Sequence, residues 1–122
     1  MGNPVVHFEA IGPDGPALID FYGDAFGWKI SADNPMGYGM VDNGGEGIAG
    51  GIGQAPPEGN GHHLTWYVWV EDLDAALKKI ESLGGKTINP PNEVPGGPKL
   101  AHFEDPAGNF VELVTGEIGA SS

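Results

Sequence analysis

Polar and apolar positions along this chain change period twice, and in the same way each time. Asp14-Gly15-Pro16 is followed by Leu18, Phe21, Tyr22 and Ala25, and Asp72 by Leu73, Ala76, Leu77, Ile80 and Leu83. Both stretches have amphipathic helical spacing opened by an aspartate, which predicts helices over Pro16 to Gly27 and Leu73 to Leu83. A strand-like run precedes each helix, Val5 to Glu9 and Leu64 to Val70. Short segments punctuated by Gly and Pro follow each and suit antiparallel strands: Ile30 to Ser31, Gly39 to Val41 and Ile48 to Ile52, then Lys86 to Ile88, Lys99 to Glu104 and Asn109 to Thr115. The helix ends repeat as well, with Gly27 and Gly84, and Lys29 and Lys86, both 57 positions apart. A β-α-β-β-β unit has been written twice. The expected division is a single domain over 1–122, with module one at 3–54, a linker at 55–62, module two at 63–116 and a C-terminal tail at 117–122.

Composition narrows the partners. A chain of 122 residues is one domain's worth, and it contains no cysteine, which excludes disulfides, thiolate catalysis and zinc-thiolate sites. Five basic against seventeen acidic side chains give a net charge of −12, which opposes nucleic acid and anionic membrane surfaces. No apolar run is long enough to span a bilayer and no signal-peptide pattern opens the chain, so a cytoplasmic protein is expected. The 22 glycines and 11 prolines cluster at Gly44-Gly45, Gly50-Gly51, Pro56 to Gly61 and Pro90 to Pro98, where turns and close backbone approach are expected. Gly44 to Gly53 has no Lys-Ser/Thr pair and no helix after it, so no nucleotide cofactor is expected.

His7 and Glu112 lie in the first and last strand-like segments. A fold that brings these segments together would set an imidazole beside a carboxylate, half of a metal site or of an acid/base pair. Alternation along the strands adds to this set. Val5 and Glu9 share the face of His7; Phe110 and Val114 share that of Glu112. If Thr65 points into the cavity, so do His63, Tyr67 and Trp69, while Leu64, Trp66, Val68 and Val70 pack against the helix. Tyr38, Met36 and Met40 are further candidates for its border. Such a pocket is apolar and aromatic with a few polar groups, as small-molecule sites are; Tyr67 and Trp69 could equally fill a core against a partner subunit.

The chain resembles the vicinal oxygen chelate superfamily, which includes glyoxalase I, bleomycin-resistance proteins, fosfomycin-resistance enzymes and extradiol dioxygenases. The likeness rests on Val6-His7-Phe8-Glu9, on Ile19-Asp20-Phe21-Tyr22 with Phe26-Gly27-Trp28-Lys29-Ile30, on Val70-Glu71-Asp72-Leu73-Asp74-Ala75-Ala76 through Leu83-Gly84-Gly85, and on Phe103-Glu104-Asp105-Pro106-Ala107-Gly108-Asn109-Phe110-Val111-Glu112-Leu113. Small two-module members related to lactoylglutathione lyase are the nearest likeness. It implies an α+β fold in which the two modules form a curved, half-open sheet around a cavity with the helices outside, and a homodimer.

The family's metal ligands stand on the first and last strand of each module. His7 and Glu112 match two of these positions. The first-strand position of module two falls on Thr65, with His63 two residues away on the same face and displaced by roughly 7 Å. The last-strand position of module one falls within Gly47 to Gly53, which offers no ligating side chain. The resemblance thus implies a divalent metal (Zn, Fe, Ni or Mn) on His7, Glu112 and His63, with the ligand set incomplete. Glu112 or Glu9 is the candidate base, and Thr65, Tyr67, Trp69, His102 and Phe110 the substrate-contacting residues. His62 and His102 also read as ordinary hydrogen-bonded strand histidines.

Two functions of different class follow. One is a metal-assisted enzyme of lyase, isomerase or dioxygenase type acting on a small oxygenated substrate. The other is a non-catalytic small-molecule binding or drug-sequestering protein of the bleomycin-resistance type, in which Trp69 and Tyr67 stack on a planar or cationic compound. The retained His7 and Glu112 favour the first, the missing ligands the second.

Overall fold

A computed structural model describes residues 2–42, 44–45, 47–55, 63–93 and 98–116. Its elements run β1 (Val5–Gly12), α1 (Gly15–Phe26), β2 (Lys29–Ser31), β3 (Gly39–Asp42), β4 (Ala49–Gln54), β5 (His63–Trp69), α2 (Leu73–Ser82), β6 (Lys86–Glu93), β7 (Lys99–Glu104) and β8 (Phe110–Thr115). This α+β order is the predicted β-α-β-β-β unit, twice. Apart from Ala55, the expected linker lies outside the described residues, as do His62 and the tail.

Both helices begin for the same reason. The Asp14 carboxylate accepts from the backbone N–H of Ala17 at 3.1 Å, and that of Asp72 from Ala75 at 3.0 Å. Each satisfies one of the N–H groups that a helix start leaves without an intrahelical partner. Pro16 sits in the first turn of α1, where its missing N–H costs nothing. Gly27 closes α1 with φ +72°, a left-handed cap that side chains with a Cβ rarely adopt.

The chain divides into two compact units, 1–6 with 65–122, and 7–64. Within 7–64 the strand order is β2-β3-β4-β1, with β1 parallel to β4 and the other pairs antiparallel. Ala10, Val41 and Ile52 are buried there, and Phe8, Leu18, Ile19, Tyr22, Trp28 and Ile30 pack against them. Tyr22 stacks on Trp28 at 5.8 Å between ring centroids. Alternation along β1 therefore gives Phe8 and Ala10 to the α1 side and leaves His7 and Glu9 for the other face.

In the unit 65–122 the order is β5-β8-β7-β6, with β5 parallel to β8. Val70, Leu73, Leu77, Ala101 and Leu113 form its core, joined by Val68, Ala76, Ile80 and Phe103. The expectation that all four even-numbered residues of β5 and its end pack against the helix is only half right. Val68 and Val70 do, whereas Leu64 and Trp66 are 74% and 54% exposed. Length explains it: the ten residues of α2 span about 15 Å, while the seven of β5 extend about 23 Å. A helix of that length cannot cover a strand of that length from end to end.

A second departure concerns β6. A turn was expected from Pro90, yet the strand runs on through Pro90 and Pro91 to Glu93. It is the outermost strand of its ladder and has register shifts between Thr87 and Asn89 and between Asn89 and Asn92. Proline is tolerated at an edge and at a bulge, where no ladder N–H is demanded of it. No described helix is long and apolar enough to cross a membrane.

The caps yield a stability prediction. Replacing Asp72 with Ala should lower the unfolding free energy by about 1 kcal/mol, whereas Asp72→Asn should restore most of it. Urea titration checks this, and equal losses in the two variants would remove the capping explanation.

Candidate functional site

The face of β1 that α1 leaves uncovered carries a polar chain. His7 and Glu9 are both 8% exposed, so each must find its partners inside the protein. The Tyr38 hydroxyl donates to Glu9 Oε2 at 2.9 Å, and Nε2 of His63 lies 2.9 Å from Glu9 Oε1. Nε2 of His7 is 3.2 Å from the same Tyr38 hydroxyl. With the phenol proton committed to Glu9, the His7 ring is the donor in that contact. The order is His7, Tyr38, Glu9, His63: two imidazoles linked through a phenol and a carboxylate. Burial holds the His7 imidazole below its ordinary pKa, an effect that the nearby Glu9 charge opposes without reversing.

Tyr38 reaches this position because of two local features. The Asn34 side chain clasps its backbone, accepting from Tyr38 N–H at 2.9 Å and donating to its carbonyl at 2.7 Å. The ring then lies flat against β4, where a Cβ on Gly51 would fall 1.8 Å from the phenol oxygen. Gly51 has no positive φ, so crowding and not backbone conformation demands glycine here. Gly50 is the same case on the opposite side, where a Cβ would meet the Phe8 ring at 2.1 Å.

Residues 65–122 hold a second arrangement. Glu112 is 3% exposed, and its Oε1 lies 2.9 Å from Nε2 of His102, its cross-strand neighbour on β7. The Asn89 amide donates to Nδ1 of His102 at 2.8 Å, which puts the ring proton of a neutral imidazole on Nε2, facing the carboxylate. His102 also lies against Phe110, with 5.0 Å between ring centroids. Thr65 donates to the Phe110 carbonyl at 2.6 Å, and the Trp69 indole N–H to the Gly116 carbonyl at 2.7 Å. Tyr67 stands opposite Glu112 in the β5–β8 ladder.

The structure thus sets His63 against Glu9 and places His7 on Tyr38. It adds Tyr38 as the link between them, together with Asn34 and Asn89 as the residues that hold Tyr38 and His102. Of these, only Tyr38 stood out in the sequence, as a border residue. The Asn34-to-Tyr38 spacing was the available signal for its clasp, since a short amide side chain readily bonds backbone four residues on. Met36 is 87% exposed and not part of the chain of contacts.

Comparison with known proteins places this geometry in context. Residues 5–113 match the model of the Glyoxalase/Bleomycin resistance protein/Dioxygenase superfamily. The chain is 29% identical to the anthracycline biosynthesis protein DnrV of Streptomyces peucetius over 93% of its own length, and 31% identical to a putative glyoxylase of Mycobacterium bovis over 82%. It spans only 56% and 41% of the lengths of those two relatives. Its fold is similar to that of a hypothetical protein of Bacillus halodurans C-125, with a TM-score of 0.72 and 16% identity, each chain covered completely. Methylmalonyl-CoA epimerase from Mycobacterium tuberculosis superposes with a TM-score of 0.64 at 16% identity, covering 93% of this chain and 87% of that one. The Mn(II)-bound glyoxalase from Novosphingobium aromaticivorans gives 0.66 at 18% identity, covering 93% and 38%. The chain belongs to the glyoxalase, bleomycin resistance protein and dioxygenase superfamily, the vicinal oxygen chelate proteins.

Proposed function

We propose that this protein is a metal-assisted enzyme acting on a small oxygenated substrate. The reading rests on the Glu9–His63 pair above all. Two donors about 2.1 Å from one ion and at right angles to each other stand ~3.0 Å apart. The 2.9 Å between Glu9 Oε1 and His63 Nε2 fits that edge. Their chemistry, one carboxylate and one imidazole without a thiolate, suits Mn, Fe, Ni or Zn. The third donor in this proposal is Glu112, as the family resemblance implies. In this reading Glu9 takes the ligand role that the resemblance assigns to His7, and His7 supports it through Tyr38.

The bound ion would supply Lewis-acid polarisation of a substrate oxygen. The chain's own groups would do the rest. Glu112, oriented by the Nε2 proton of His102, is the proposed base that moves a proton. Glu9, with Oε1 turned to the ion and Oε2 held by the Tyr38 hydroxyl, serves in this reading as a ligand and not as the base. Thr65, Tyr67 and Phe110 are the proposed substrate-contacting residues. A homodimer is part of the proposal, as the family resemblance implies.

One observation favours a second reading, a binding protein without catalysis. The Tyr38 ring fills the space over Gly51 and removes a site for a β4 ligand. In that case Trp69 and Tyr67 contact a planar compound, and Trp69→Ala should abolish uptake while Glu9→Ala leaves it intact.

Calorimetric titration of chelator-treated protein with Mn or Zn decides between them. Wild type should bind one ion per chain, and Glu9→Ala, His63→Ala and Glu112→Ala should each weaken binding at least tenfold, because the site has no spare donors. Binding should also weaken in acid, since a ligating imidazole must be deprotonated. Absence of binding by wild type would sink the enzyme reading.

His7 generates a separate expectation for the metal-free protein. Its pKa is lower in the folded state than the 6.5 of a free imidazole, so the unfolded chain takes up the proton first. Its contribution to stability is therefore complete above about pH 6.5 and declines as pH falls through the folded pKa. Urea unfolding in chelator should show His7→Gln losing less stability than wild type over that interval. Parallel losses would contradict the buried, neutral imidazole.

A further inference from the structure

Each module's first strand is paired in parallel with its last. In the β1–β4 ladder Glu9 stands opposite Gly51, and in the β5–β8 ladder Tyr67 stands opposite Glu112. The matched first-strand positions, His7 and Thr65, are 58 apart, so on these strands Glu9 corresponds to Tyr67. By ladder position, then, Gly51 is the module-one counterpart of Glu112. One module has a buried carboxylate there and the other a hydrogen atom.

The space at Gly51 is not open. The Tyr38 phenol occupies it, with the oxygen 1.8 Å and the ring carbons 2.0 and 2.2 Å from where a Cβ would be built. Gly53, two residues on, is also covered by the ring, at 3.0 Å. The phenol arrives from the loop before β3, held there by both hydrogen bonds of the Asn34 side chain. Its oxygen ends between Glu9 Oε2 and His7 Nε2. The space that a β4 side chain would fill is thus occupied by one inserted from the neighbouring loop, and the inserted group contacts the Glu9 carboxylate.

We propose that Tyr38 is a positioning residue of the metal site: its ring takes the place of a donor side chain from β4, and its hydroxyl holds Glu9 in the orientation that presents Oε1 to the ion. This rests on the metal-assisted reading above. A ligating carboxylate has two oxygens, and fixing Oε2 by a charge-assisted hydrogen bond removes the rotations that would turn Oε1 away. The His7 ring adds to the support, with its Nε2 3.2 Å from the phenol oxygen. Glycine at 51 is the condition for all of it, since any side chain there would displace the ring.

The test uses the whole chain, with Mn or Zn alone as the probe. Tyr38→Phe keeps the ring over Gly51 and removes only the hydroxyl. It should weaken ion binding 10- to 100-fold, the usual effect of losing a hydrogen bond to a ligating group, and should also lower the melting temperature of the metal-free protein, because the buried Glu9 carboxylate loses a donor. A purely structural tyrosine would lower the melting temperature in the same way but leave the ion affinity unchanged. The second arm opens the filled space: Tyr38→Ala combined with Gly51→Glu should bind the ion at least tenfold more tightly than Tyr38→Ala alone, because a carboxylate then enters from β4. Wild type that binds the ion, with Tyr38→Phe binding it equally well, overturns this proposal and leaves the metal reading in place. Wild type that binds no ion overturns both.

Discussion

A carboxylate cannot be left without partners inside a protein, and Glu9 is buried. Desolvating an ionised group costs several kcal/mol unless hydrogen bonds or opposite charge offset it. Both Glu9 oxygens are accounted for, one by the Tyr38 hydroxyl and one by His63. Much of residues 7–64 follows from meeting that requirement. The Asn34 clasp holds the loop that delivers Tyr38, and the glycines of β4 make room for its ring. A strand of small residues would ordinarily be a weak one. Here it is the surface on which two aromatic rings rest, Phe8 on the α1 side and Tyr38 on the other.

Residues 65–122 meet the same demand differently. Glu112 is buried on the last strand and receives the Nε2 proton of His102 from the adjacent strand, with Asn89 on the edge strand fixing the tautomer. The two modules therefore share a fold and a principle, a buried carboxylate oriented by an imidazole, but not the residues that achieve it. In the first module the imidazole comes from the start of β5 and the second partner is a phenol. In the second module the supporting residues sit on neighbouring strands. Such divergence between repeats is what superfamily membership alone leaves open: the fold is common, and chemistry is decided by which side chains each strand presents.

The aromatic cluster around Trp28 shows the other side of this division of labour. Phe8, Tyr22, Phe26 and Trp28 lie within 5.1 to 6.2 Å of one another's ring centroids along the chain of contacts. They join α1 to β1 and to the entry of β2, and so hold the strand whose opposite face carries His7 and Glu9. Packing on one face of β1 and hydrogen bonding on the other act on the same backbone.

How much of this was legible beforehand depends on the range of the interaction. Helix starts at Asp14 and Asp72, the end of α1 at Gly27 and the alternation along β1, β5 and β8 are local, because caps and side-chain parity act within a few residues. They could be read from the sequence, as could the duplication and the superfamily resemblance. The candidacy of His7, Glu9, His63 and Glu112 followed from the same local rules. Their hydrogen-bonding partners did not. His63 is 54 positions from Glu9, and Tyr38 is 29 from it and 31 from His7, so only the folded chain could pair them. The exposure of Leu64 and Trp66 was decided by the reach of α2 across the sheet, and the continuation of β6 through two prolines by its place at the edge. Sequence by itself determined which faces the strands would present and which ionisable groups those faces would carry. Tertiary structure decided which of those groups meet, because hydrogen bonds of 2.9 Å between residues tens of positions apart exist only once strand register and loop insertion have brought them together.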